Sequence, residues 1–184
     1  GAIGAMHELA GEVNAFIDKI TGAMVAIVKS GLNAPDGVLP GPIKLQSKAA
    51  TVFKRAQDDQ YQADRGIGSL AAYALAGSEE NGRGHLVVTA PTGGSAGVLP
   101  ALVYIVGEGG RKLSPEKIRS GMLAAAAIGY LCKHNATLSG AEGGCQAETG
   151  AAAGMAAGAA TEMLGGSPAQ VGHAVALTMQ GMLG

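Results

Sequence analysis

The chain has no tryptophan, two phenylalanines and four tyrosines in 184 residues. A core built on stacked aromatics is therefore excluded, and small side chains must close the interior. The 31 glycines and abundant alanines suit helices that approach closely, because few large side chains hold elements apart. Cysteine is nearly as scarce. Two cysteines do not make a disulfide framework and no signal-peptide pattern opens the chain, so a reducing cytoplasm is the expected compartment. Excess charge is missing as well. Thirteen basic against fourteen acidic residues leave a net charge of −1, which offers no footprint for nucleic acid or an anionic membrane surface. The length is one domain's worth, so a single helical domain over 1–184 with a substantial core is expected.

A membrane span is also lacking, although two stretches carry no formal charge. Residues 86–107 are interrupted by Pro91, Pro100 and the glycines between them. Residues 163–184 are broken by Gly165-Gly166-Ser167-Pro168 and carry Gln170, His173 and Gln180. A spanning helix needs about 20 predominantly apolar residues. Broken helices do occur in transporters, which makes a transporter fragment a rival reading. Charged helical surfaces elsewhere argue against it.

What is present reads mainly as helix. Leu9, Val13, Phe16, Ile17, Ile20, Met24, Ile27 and Val28 recur at helical spacing and predict one helix over Ile3–Ser30, or two joined near Gly11 or Gly22, with Gly31 as C-cap. His7 there reads as a surface or core histidine. Residues 33–42, with three prolines and two glycines, predict a loop. A second helix is expected over Ser47–Tyr61 and a third over Arg65–Ala76, followed by a polar turn at Gly77–Gly84. The basic residues Lys44, Lys48, Lys54 and Arg55 precede Asp58 and Asp59, so they read as a solvated mixed face. Leu86–Thr89 has the β-branched content of a short strand. Ser114-Pro115-Glu116 marks a helix start, whose apolar body runs to about Cys132. After Cys145 a helix over Gln146–Leu164 carries Gly150, Gly154 and Gly158 at four-residue intervals, a groove for another helix. Ser167-Pro168 opens the last helix.

Two glycine-rich stretches carry the chemistry. In PTGGSAG, residues 91–97, backbone N–H groups can form an anion-binding nest, supplemented by the Thr92 and Ser95 hydroxyls around Gly93 and Gly94. No Gly-Lys-Ser/Thr follows, and the glycine spacing is not that of a dinucleotide fingerprint. A small carboxylate suits the nest; the bland alternative is a turn that starts a close-packed helix. In SGAEGGCQAETG, residues 139–150, Cys145 sits in a bare backbone bend before a helix whose positive end faces the sulfur. An iron–sulfur cluster can approach such a thiolate; the alternative is a buried small hydrophobe. Glu148 near the start of that helix favours its dipole and is a candidate to hydrogen-bond the site. Cys132, within an apolar helix, reads as a packing residue. His134 and Asn135 end that helix shortly before the bend, and His134 is a candidate general base or a dipole partner.

These stretches, with GVLPGPIK (37–44) and LGGSPAQV (164–171), resemble in order the α chain or α domain of bacterial iron–sulfur L-serine dehydratase. The resemblance implies an all-α fold with glycine-rich active-site loops, in which a strand at 86–89 is minor. It implies deamination of L-serine to pyruvate and ammonia on a [4Fe–4S] cluster, without pyridoxal phosphate. Cys145 would supply one cluster ligand. Thr92, Gly93, Gly94 and Ser95, with Asn135 and Ser139, would hold substrate, and His134 and Glu142 would serve the chemistry. The family's second and third cluster cysteines lie downstream of a segment like Ala176–Gly184. This chain stops there, so it is expected to hold no intact cluster and to be inactive alone. A β domain or β chain is the implied partner, and a homo-oligomer is left open. A cysteine desulfidase is a close alternative, and a non-catalytic helical scaffold a distant one.

Overall fold

A computed structural model describes residues 2–182, with side chains from residue 7. The expectations about the chain ends at Gly1 and Gly184 lie outside the described residues. Eight helices account for the regular structure: α1 (Ala2–Asn33), α2 (Ala49–Asp58), α3 (Gln62–Gly82), α4 (Val98–Gly107), α5 (Pro115–Asn135), α6 (Gly140–Gly143), α7 (Cys145–Met163) and α8 (Pro168–Gln180). The fold is all-α among the described residues. Leu86–Thr89 has no regular structure, so the expected strand is absent; the one β-type contact among the described residues is an isolated bridge between Val38 and Gln46.

The main core is built where α1, α4, α5 and α7 meet. Ile17 and Met24 of α1 pack with Leu99, Val103 and Val106 of α4, Met122, Ala125 and Ile128 of α5, and Met155, Ala159 and Met163 of α7. Methionine adapts to irregular gaps, which compensates for the missing aromatics. A second cluster joins Val28, Ala49, Tyr73, Ala76 and Ala101. There the ring of Tyr73 lies 5.8 Å from Phe53 and 4.6 Å from Tyr104. Half of the chain's six aromatic rings therefore serve one small hub between α2, α3 and α4.

Several expected boundaries move, each for a packing reason. α1 is one helix, unbroken at Gly11 or Gly22. Its apolar stripe is buried from Ile17 onward, whereas Leu9, Val13 and Phe16 face solvent. Gly31 is not a C-cap, because α1 continues to Asn33 and a Cβ at Gly31 would lie 2.5 Å from the Ala76 carbonyl. It marks the crossing of α1 and α3. The expected polar turn at 77–84 is helix as far as Gly82. Gly77 is held there because a Cβ would meet the Gly97 Cα at 2.9 Å, where the start of α4 crosses α3.

The two glutamates of that segment are buried and satisfied. Glu79 accepts the Lys48 and Ala49 N–H groups at 2.7 and 3.1 Å. Glu80 accepts from Ser30 at 2.6 Å and Arg83 at 2.9 Å and pairs with His85 at 2.9 Å. Burial pushes the Glu80 carboxyl up, but these hydrogen bonds together outweigh it and hold the group below the ordinary glutamate value.

Ser114 and Ser167 occupy the N-cap positions expected of them, each with proline in the first turn. Ser167 and Gln170 complete a reciprocal capping box. The body of α5 is buried on one side only: Met122, Ala125 and Ile128 face inward, while Leu123, Tyr130 and Leu131 are exposed. The α7 glycine stripe accommodates neighbours. A Cβ at Gly154 would touch Met179 and Val175 of α8, and one at Gly158 would collide with Ile128 of α5. No described helix is long and apolar enough to cross a membrane.

Candidate active site

The two glycine-rich stretches meet, and Glu148 joins them. From the second position of its turn, Thr92 donates its hydroxyl to Glu148 Oε2, across 56 residues of sequence. The same carboxylate lies over two glycines. A Cβ at Gly94 would sit 2.5 Å from Glu148 Oε1, and one at Gly140 would sit 3.2 Å from it. Glycine at these positions keeps the space that the carboxylate occupies.

Helix geometry then brings in the cysteine. Cys145 is the first residue of α7, and Glu148 is three residues on, so the two share one face a single turn apart. The bend before Cys145 is made by the short α6 and by Gly144, whose φ of 77° is one L side chains rarely adopt. Cys145 is exposed and free rather than sealed in hydrocarbon. That removes the small-hydrophobe alternative for it.

The loop 91–97 is braced from both sides. Ser95 is buried, and its hydroxyl lies 3.2 Å from that of Thr92 and 3.3 Å from the Thr92 carbonyl. From α3, the Asn81 side-chain amide donates to the Gly93 carbonyl at 3.0 Å. Gly97 fixes the far end, since a Cβ there would strike the Ala74 carbonyl. The N–H groups of Gly93, Gly94 and Ser95 donate to no acceptor among the described residues. Those of Gly93 and Gly94, outside the buried part of the loop, are the donors a nest would offer.

The other candidates make contacts within their own segments, and Asn135 lines an apolar groove between α5, α7 and α8. Ser139 is the N-cap of α6, its N–H donating to Thr137 Oγ1 at 3.0 Å. Glu142 accepts from Thr137 Oγ1 at 2.6 Å. Asn135 donates to the Leu131 carbonyl of its own helix at 3.0 Å. His134 stacks on Tyr130 with ring centroids 6.0 Å apart. Among the described residues, no hydrogen bond links His134, Asn135 or Glu142 to the Thr92 loop. Two residues make the contacts that organise it: Glu148, which the sequence placed within reach of the site, and Asn81, which it did not. Glu148 carried a signal, its i+3 spacing from Cys145; Asn81 carried none, being assigned to a turn that is in fact helix.

The donor set fits one position of an iron–sulfur centre. Cys145 offers an accessible sulfur at a helix N-terminus beside bare backbone. Cys132 does not extend the set: it is half-buried against the core, and burial pushes its thiol up. No group of three or more His, Cys, Asp or Glu able to hold a metal occurs among the described residues. Among the described residues the set is limited to this one thiol.

A wide apolar groove of 1110 Å³ adjoins this region between α5, α7 and α8, lined by Leu131, Ala147, Gly150, Val175 and Met179 among others. Neither Cys145 nor Thr92 lines it, so this groove and the polar site are distinct.

A family model described as "Serine dehydratase alpha chain" matches residues 3–184. Over 176 residues the chain is 42% identical to the L-serine dehydratase TdcG of Escherichia coli K12. It is 39% identical over 175 residues to an L-serine dehydratase of Haemophilus influenzae, and 39% identical over 173 residues to one of Streptomyces coelicolor. Each match covers 94% of this chain and 38% of the relative, so the chain spans less than two-fifths of the length of these curated relatives.

Proposed function

The chain belongs to the serine dehydratase alpha chain family, and from that premise we propose that it is the α part of a cytoplasmic L-serine ammonia-lyase. The reaction removes the α-proton and the β-hydroxyl of L-serine as water. The resulting enamine tautomerises and hydrolyses to pyruvate and ammonia. The observation that carries this reading is the Thr92–Glu148 contact, which puts the N–H groups of Gly93 and Gly94 across from the face of α7 that bears Cys145.

In this reading the loop binds the substrate carboxylate through the Gly93 and Gly94 amides and the Thr92 hydroxyl. Asn81 and the buried Ser95 hold the loop in shape, so that the donors need not reorganise when substrate arrives. Ser139 and Asn135 would assist in holding substrate, and His134 and Glu142, from the segments flanking the Cys145 bend, would serve the proton transfers. Cys145 would hold one iron of a [4Fe–4S] cluster, which when bound supplies a Lewis acid for the departing hydroxyl. The remaining ligands, and a β domain or chain completing the pocket, would come from outside the described residues.

The test uses the full-length protein, reconstituted anaerobically with iron and sulfide and assayed for pyruvate from L-serine. Cys145→Ala is expected to lower activity by at least ~10³-fold, and to change the iron stoichiometry or cluster spectrum. A Cys145→Ala protein with an unaltered cluster and full activity would overturn the assignment.

A further inference from the structure

We propose that Glu148 is the group that recognises the ammonium of the substrate, and so restricts the site to α-amino acids. The inference rests on the reading of loop 91–97 as a carboxylate site and deepens it. A nest of free N–H groups attracts an anion, yet the Glu148 carboxylate stands directly over it. Oε2 accepts from Thr92, and Oε1 lies against Gly94 and Gly140. Alone, a carboxylate in that position repels a phosphate or a simple carboxylate from the nest. The two features agree only for a ligand that carries opposite charges on two groups bonded to one carbon. An α-amino acid is such a ligand: its carboxylate faces the amides while its ammonium faces Glu148.

Three further observations fit this use. Glu148 has no Lys, Arg or His partner among the described residues, so its charge is not consumed within the fold. Oε1 accepts no hydrogen bond from them, which leaves an acceptor for an incoming N–H donor. Gly94 and Gly140 carry no Cβ, so Oε1 is bounded by backbone on these sides and a side chain at either position would crowd or displace it. The β-carbon of the bound amino acid would then point along the face that Glu148 shares with Cys145.

The test compares ligand pairs that differ by the ammonium alone, on the full-length anaerobic protein. L-Alanine and propionate are titrated calorimetrically. L-Serine turnover and its inhibition by 3-hydroxypropionate are followed as pyruvate. Wild type is expected to bind L-alanine at least ~10-fold more tightly than propionate. Glu148→Gln should weaken L-alanine binding and raise the KM for L-serine by ~10–100-fold, the worth of one charge-assisted hydrogen bond. Propionate and 3-hydroxypropionate should bind within ~3-fold of wild type or more tightly, since a repelling charge is gone. Their retained binding also reports an intact nest, so a misfolded variant is not mistaken for a positive result. Parallel weakening of both members of each pair, or no change in either, would overturn the proposal. Wild-type protein that discriminates L-alanine from propionate but makes no pyruvate would overturn the lyase reading alone.

Discussion

Two glycines three residues apart in one loop are required for different reasons, and substitution separates them. A Cβ at Gly94 meets the far end of a flexible side chain, Glu148 Oε1, which can swing away. Gly94→Ala should therefore fold with a Tm near that of wild type, yet in the full-length enzyme it should cost ~10-fold or more in kcat/KM, because it evicts the carboxylate. At Gly97 the obstacle is the Ala74 carbonyl, fixed in α3. Gly97→Ala should destabilise the fold by ~1–3 kcal/mol, seen as a lower urea midpoint whether or not substrate is present. If both variants behave alike, the loop does not divide its work in this way. Both glycines are visible in the sequence; what each one faces is not, since Ala74 and Glu148 reach the loop from helices on opposite sides of it.

Among the elements, α3 departs furthest from its sequence pattern, and its acidic pair explains why. Ser78-Glu79-Glu80-Asn81 is a polar run between glycines, which locally reads as a turn. Burial of Glu79 and Glu80 is possible only because α1, α2 and the segment after α3 supply donors from distant positions, which periodicity does not register. The same contacts give this terminus a pH dependence. The Glu80 carboxyl is held below its ordinary value, so its contribution to stability is fully present above that value and is lost as the pH falls through the folded one. The stability gap between wild type and Glu80→Gln, measured by urea titration, should be largest near neutrality and narrow below about pH 4.3. A gap that is constant from pH 7 to pH 3 would show that the charge does not matter there. By contrast, α5, α7 and α8 were legible, because strong start signals at Ser114 and Ser167 and the glycine spacing in α7 act over short range.

At the scale of the whole molecule, the composition was a reliable guide. Scarce aromatics and abundant small residues pointed to closely packed helices, and the structure has them; the methionines that fill the main core beside the alanines were not part of that reading. The meeting of the Thr92 loop with the Cys145 bend could not be read from spacing, because it depends on how α3, α4 and α7 pack together. One consequence of the Glu79 contacts reaches further. α2 has no start signal of its own: Lys48 stands at its N-cap without a side-chain hydrogen bond, and the acceptor comes from a residue 31 positions later. The beginning of α2 is thus borrowed from a helix made after it, and this stretch should acquire order only once α3 has docked. Glu79→Ala should cost ~1–3 kcal/mol by stranding two N–H donors. Adding Lys48→Asp should restore ~0.5–2 kcal/mol by supplying a local acceptor, and should let the segment become helical earlier in refolding, as pulse-labelled hydrogen exchange would record.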